Sequence, residues 1–409
     1  TGRNSALLQK MLVVIQAALS LVLLTGAGLL TVSLSNLEHQ AFGFETSGRL
    51  IVRVQAVFAG YSPERLYQLY QQLEARMNGL PGVRSASFSL GNPFSGSNWS
   101  TGVYFEGRPV PPGGETNDSS SWMRVSPHYF ETLGSHIVSG RAIDERDTPN
   151  APMTAVVNQT FARKYFAGQE PIGRRFGVNG GAHQQDYEIV GVVEDAKYVD
   201  ARDAALPMFF LPYLQMPAGY WSDNAQARSN YPHFLQLHVA RQSSSLEPLL
   251  RRTLAELDPK LTVVRVQTMP DQVAITFNRD RLIARLAESF GLLALVLACI
   301  GLYGVTAYSV ASRTAEIGIR TALGASRGGV MALILRGALA QIGLGLAIGL
   351  PVSVWVGAIV KSQLFGVQND NPWILAAATA VLIACAVLAA LVPARRATKI
   401  DPIRALRAE

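Results

Sequence analysis

Met11–Leu34 reads MLVVIQAALSLVLLTGAGLLTVSL, a run without one charged residue. A helix needs about 20 apolar residues to cross the hydrocarbon core of a bilayer, and this run supplies them. Three further stretches of the same kind follow, Phe290–Val310, Gly337–Val360 and Pro372–Val392. Between the first and the second lies a polar segment, Ser35–Arg285, long enough for one or two soluble domains. The 1+3 layout predicts an α-helical membrane protein with four transmembrane helices and a large α+β extracytoplasmic domain.

Charge placement supplies an orientation. The chain has 36 Lys and Arg against 29 Asp and Glu, a net charge of +7. Arg3 and Lys10 precede the first span, and Arg313, Arg320, Arg327 and Arg336 lie in or beside the connection between the second and third. Arg395, Arg396, Lys399, Arg404 and Arg407 follow the fourth span, while the short loop between the third and fourth carries only Lys361 and Asp370. The positive-inside rule then puts both termini and the 313–327 connection in the cytoplasm and the large domain outside. Arg279, Arg281 and Arg285 sit on the outer side, which long translocated domains tolerate. The basic excess is thus a topology signal with some attraction to anionic lipid, and nucleic acid is not an expected partner.

Periodicity divides the large domain. Arg49–Val57 alternates as a strand, Ser62-Pro63 opens a helix running to Met77, and Val83–Leu90 alternates again. A second β-α-β unit comprises His233–Ala240, Leu246–Leu257 and Leu261–Gln267. The expected plan is one α/β layer domain split into about 45–92 and 230–278, the parts that the resemblance given below would make porter-like, with a smaller subdomain inserted at about 93–229. Within the insertion, Pro127–Leu133 and Asn158–Phe166 read as helices, the latter capped by Asn158, and Met153–Val157 and Tyr187–Glu194 as strands. Pro109–Gly114, Asn179–Ala182 and Pro217–Gly219 read as surface loops.

Candidate chemistry is sparse. There is no GxxxxGK[ST] phosphate loop, so ATP binding by this chain is not expected. Gly324-Ala325-Ser326-Arg327-Gly328 matches GxSxG but has no histidine near it in the connection. The six histidines fall in the large domain, and His233 and His238 are spaced to face opposite ways on a strand. Glu194, Asp195, Asp200 and Asp203 read as a solvated loop, and Asn98, Asn117 and Asn158 as chance glycosylation triplets. Cys299 and Cys385 lie inside spans, which leaves the large domain without a disulfide. No catalytic residue, metal ligand or cofactor site emerges. Gly345 and Gly349 form a small-xxx-small motif suited to close helix packing. Glu288, at the outer edge of the second span, is the one acidic residue near membrane depth, which argues against a polar path through these helices.

The connection Arg313–Arg327, RTAEIGIRTALGASR, is more informative. On one continuous helix Arg313, Glu316, Arg320 and Arg327 share an arc of about 60°, with Ala315, Ile319, Ala322 and Ser326 opposite. Ile317 falls on the charged side, where it reads as an exposed knob for a partner's groove. An interfacial helix resting on lipid headgroups fits the same periodicity. Gly318 and Gly324 argue against one unbroken helix.

Glu316–Ala325 (EIGIRTALGA) resembles the signature loop of FtsX/MacB-type ABC permeases, and Pro393–Arg407 is similar to the C-terminal end of that family. Ser126–Gly140, Val156–Arg175 and Tyr187–Asp195 resemble its periplasmic core domain. The likeness is greatest to the duplicated orphan permeases, in which two such modules share one chain, and a start at Thr1 fits a second module cut from one. The resemblance implies residues 1–34 as cytoplasmic N-terminus and first transmembrane helix. It implies 35–285 as periplasmic core domain, and 286–409 as permease domain with a coupling segment at 313–327 and a cytoplasmic tail at 394–409. It also implies a bacterial inner-membrane protein and an ATPase on a separate cytoplasmic subunit. The expected partners are that ATPase, a second permease module (homodimer or linked half), membrane lipid and a periplasmic adaptor or substrate. Motion rather than cargo would pass through the helices, a scheme of mechanotransmission serving efflux or envelope remodelling. Arg313, Glu316, Ile317, Gly318, Arg320, Ala322, Leu323, Gly324 and Arg327 would meet the ATPase. A competing expectation is a non-transporting scaffold or sensor whose outer domain binds a ligand or envelope partner.

Overall fold

The computed structural model describes residues 2–55, 63–96, 98–110, 116–178, 180, 183–213, 215, 233–241, 246–323 and 326–398. The expected cap at Ser62, the tail beyond Thr398, and most of the three Pro/Gly loops lie outside those residues. The chain forms two compact units, Thr1–His39 with Phe277–Glu409, and Gln40–Thr276.

The first helix, α1 (Gly2–His39), leads into the α/β unit. There β1 (Arg49–Gln55), α2 (Pro63–Asn78) and β2 (Val83–Ser89) form the first β-α-β unit. β3 (Ser100–Gly102), β4 (Tyr104–Phe105), β5 (Ser119–Val125), α3 (Tyr129–Leu133) and β6 (Ile137–Gly140) follow. Next come β7 (Thr154–Asn158), α4 (Gln159–Tyr165), β8 (Arg175–Gly177), β9 (Tyr187–Val193) and β10 (Met208–Pro212). β11 (Phe234–Val239), α5 (Leu246–Leu257), β12 (Thr262–Thr268) and α6 (Met269–Thr276) complete the unit.

The two β-α-β units interleave. The order β12-β1-β11-β2 places β11 between β1 and β2, antiparallel to both, and β12 antiparallel to β1 on the other side. This is the split β-α-β arrangement. Its core joins Val52 and Val54 of β1 to Leu69 and Leu73 of α2 and to Leu250 and Leu254 of α5. Each such side chain contributes about 1.5–3 kcal/mol when fully buried, the main source of stability in a unit without cysteine.

The insertion carries its own core, rich in rings: Phe105, Phe161, Tyr165, Phe176, Tyr187 and Phe209. Its sheet nonetheless continues the first through one pairing, Ser89 with Val125. β5 and β10 run parallel, as do β7 and β9. Asn158 caps α4 as expected: its Oδ1 accepts from the Phe161 and Met208 amides, each at 2.9 Å, while Nδ2 donates to the Leu206 carbonyl. That buried side chain is fully committed to holding α4 against β10.

The membrane unit adds α7 (Asn278–Ser312), α8 (Thr314–Ala322), α9 (Arg327–Ile359) and α10 (Pro372–Ala397) to α1. Four of its helices are long and apolar enough to cross a membrane. α1 and α7 have 38 and 35 residues, so at ~1.5 Å per residue each far exceeds the hydrocarbon thickness. Asn371 starts α10 by accepting from the Trp373 and Ile374 amides, and Pro372 is tolerated at the first helical position. His39, expected in the large domain, instead occupies the last turn of α1, its Nδ1 within 2.8 Å of the Ser35 carbonyl.

Candidate functional site

α1 is the axis of the membrane unit, packing against α7, α9 and α10. Val13, Ala17 and Leu21 of α1 meet Leu295 and Leu302 of α7, Ile342 of α9 and Leu382 of α10 in one apolar cluster. Small residues allow the approach. A Cβ built on Gly345 would lie 2.7 Å from the Ala17 Cβ, and one on Gly349 would lie 3.1 Å from the Ala18 Cα. Without glycine at both positions α9 and α1 would have to separate.

Polar bonds fasten the α1 end nearest His39. Asn36 Nδ2 donates to the Gly366 carbonyl at 3.0 Å, and the Phe365 amide donates to Ser33 Oγ at 2.8 Å. Thr31 Oγ1 donates to Glu288 Oε1 at 2.7 Å, so Glu288 is used between two helices. Arg281 Nε donates to Glu38 Oε1 at 2.6 Å, joining α7 to α1 where the chain leaves and re-enters the unit.

At the far end of α7 the helix stops at Ser312, and Thr314 Oγ1 donates back to the Val310 and Ala311 carbonyls. α8 then covers only Thr314–Ala322, and Ser326 starts α9 by accepting from the Gly329 amide. The GxSxG serine therefore has a capping role. Arg313 caps the end of α7, Glu316 and Arg320 lie on α8 and Arg327 on α9, so the four do not share one helix. Glu316 and Arg320 pair at 2.8 Å along the exposed side of α8.

Ile317 corrects the sequence reading most clearly. It is 6% exposed and packs with Val330, Ile334, Val310 and Ala397, so it is a core residue of the connection and not a knob. The apolar surface presented outward belongs instead to Ile319, 49% exposed, and Leu323, 82% exposed. Arg313, Glu316, Arg320 and Arg327 are exposed as well. Gly318 and Ala322 lie on α8, and Gly324 falls outside the described residues. An exposed Leu-Ile pair suits an apolar contact with a protein groove.

In the α/β unit several charged groups are engaged in structure. Asp195 accepts from the Thr160 amide and hydroxyl at 2.7 and 2.9 Å, fixing the start of α4, and Glu194 pairs with His136. Asp147, 2% exposed at its side chain, accepts from both Nη atoms of Arg141 at 2.8 Å and from Thr154 Oγ1. Among the described residues no group of three His, Cys, Asp or Glu has metal-binding proximity. Glu74 on α2 is the most perturbed carboxyl. Burial pushes it up to about 7, against the Ser126 hydroxyl that donates to it at 2.9 Å.

Two family models match this chain. A model described as FtsX-like permease C-terminal matches residues 288–402, and one described as MacB-like periplasmic core domain matches 14–265, more than half of the chain. The macrolide export ATP-binding/permease protein MacB 2 of Aeromonas hydrophila is 27% identical over 304 residues, 71% of this chain and 44% of that protein. The ABC transporter permease YknZ of Bacillus subtilis is 24% identical over 286 residues, 70% of this chain and 69% of its own. This chain thus spans less than half the length of the MacB relative. The crystal structure of the periplasmic region of MacB from Actinobacillus actinomycetemcomitans aligns over 59% of this chain with a TM-score of 0.38 and 13% identity. The chain belongs to the family of MacB/FtsX-type ABC transporter permeases.

Proposed function

We propose that this chain is the permease module of an ABC-type efflux or envelope-remodelling system in a bacterial inner membrane. Both termini and α8 face the cytoplasm, and the α/β unit faces the periplasm. A separate ATPase supplies the energy, docking on α8 through Ile319 and Leu323 with Arg313, Glu316, Arg320 and Arg327 at the rim. Motion of α8 passes through the Ile317 contact into α9 and α10, and along α7 and α1 to the chain crossings at His39 and Phe277. A second permease module completes the assembly, and an adaptor or substrate meets the periplasmic unit. The observation that carries this reading is the contrast between Ile317, buried on α8, and the outward Ile319 on α8 and Leu323 just past its end. One face anchors the helix to the permease and the other is left for a partner.

The test is recovery of copurifying proteins from native membranes with the tagged full chain, identified by mass spectrometry. A P-loop ATPase recovered with wild type and lost with Arg320→Glu is the expected result. Clean recovery without any ATPase would overturn it and favour a scaffold that binds its partners through the α/β unit.

A further inference from the structure

Where α8 meets the bundle, a cleft of about 370 Å³ opens among α1, α7, α8 and α9. Its wall is apolar, with Val305, Leu333, Ile334 and Leu344 among the lining residues. Its charged lining consists of Lys10, Arg313, Arg320 and one carboxylate, Glu316. Glu316 is already paired with Arg320, and among the described residues no carboxylate pairs with Lys10 or Arg313. Gln341 also lines the cleft, and its buried amide oxygen has no donor among the described residues.

We propose that this cleft binds one anionic glycerophospholipid of the cytoplasmic leaflet, with its phosphate on Lys10 and Arg313 and an acyl chain along the apolar wall. This proposal rests on the membrane orientation given above. An apolar slot bordered by two unneutralised cations matches a ligand with an anionic head and a hydrocarbon tail. A headgroup hydroxyl, as in phosphatidylglycerol, supplies the donor that the Gln341 oxygen lacks. The lipid would bridge α1 to the hinge between α7 and α8, since Lys10 is on one and Arg313 joins the others. Its occupancy would therefore bias the position of α8.

Native mass spectrometry of the detergent-solubilised full chain, titrated with dioleoylphosphatidylglycerol or dioleoylphosphatidylcholine, tests this. Wild type should retain one phosphatidylglycerol at least threefold over phosphatidylcholine, and the Lys10→Gln/Arg313→Gln variant should bring the two to parity. Ser309→Trp, which fills the cleft without altering charge, should also lower phosphatidylglycerol retention at least threefold. Equal retention of both lipids by wild type, or undiminished phosphatidylglycerol on both variants, would overturn the proposal. A lipid-free dimer peak, with phosphatidylglycerol excluded, would overturn it in favour of a second copy closing the cleft. The orientation is read separately, by labelling Arg327→Cys with an impermeant maleimide in a Cys299→Ala/Cys385→Ala background. Labelling from outside intact cells would contradict the orientation even where the lipid binds.

Discussion

Glu38, in the last turn of α1, and Arg281, in the first turn of α7, form an ion pair at 2.6 Å with both side chains about one-third exposed or less. These are the two helix ends through which the chain passes between its units. The pair holds them together, so displacement of α7 carries α1 with it. Reversing Glu38→Arg leaves two guanidinium groups facing each other, and Glu38→Arg/Arg281→Glu restores the attraction. Thermal unfolding in detergent should give a double-mutant coupling of roughly 0.5–1 kcal/mol. Additive single effects would remove the clamp from the account.

The contact between α1 and α9 depends on two glycines and makes a graded prediction. Gly349→Ala places a methyl 3.1 Å from the Ala18 Cα and Leu21 Cδ2, and should cost about 1–3 kcal/mol through overpacking. Gly345→Ala should cost at least as much, with its Cβ 2.7 Å from the Ala17 Cβ and 3.0 Å from the Val14 carbonyl. Gly343→Ala meets nothing within 4 Å and should be neutral or stabilising by up to ~1 kcal/mol. Melting temperatures of the three variants decide the order.

The connection yields a contrast between neighbours. Ile317→Ala opens a small cavity against Val330 and Ala397 and should cost about 2 kcal/mol, at the low end for such truncations because the cluster is small. Ile319→Asp and Leu323→Asp alter exposed positions and should leave the melting temperature within the ±0.5 kcal/mol usual for surface changes, or about a degree or two. Proteolysis between α8 and α9 should accelerate only for the Ile317 variant.

Much of this was legible from the sequence because local signals agreed with tertiary context. Leu246–Leu257 was readable as a helix, its leucines at helical spacing and its buried face turned to the core. β5 was not, since SSSWMRV shows no alternation. It is covered on both faces, and its Arg124, 1% exposed, donates through Nη1 to carbonyls of Pro212 and Gln215 that lie far off in sequence. β10, all five residues buried, is too short to distinguish from a helical fragment. At the connection, a helical wheel ranked residues by their own periodicity. Which face is buried is set by α9 and the end of α10 folding over Ile317, and no pattern within α8 encodes that.

Glu74 gives the α/β unit a pH dependence. Its carboxyl lies at about 7 in the folded protein against an ordinary value of 4.5, because burial penalises the charged form. The folded state thus holds this proton more tightly than the unfolded chain. The contribution is fully present below about 4.5, falls as pH rises to about 7, and is gone above that. The loss is on the order of a few kcal/mol. Hydrogen exchange on the full chain should show α2 and β2 less protected at pH 8 than at pH 5.5, and Glu74→Gln should flatten that difference. A wild-type profile flat between those values would contradict the raised carboxyl of the half-buried Glu74.

The most direct test of the central claim is ATP hydrolysis by the copurified ATPase, reconstituted in nanodiscs with the permease. Wild type should stimulate hydrolysis, and Leu323→Asp should reduce that stimulation at least tenfold with an unchanged melting temperature. Full stimulation by a folded Leu323→Asp/Ile319→Asp double variant would contradict docking through the outward face of α8.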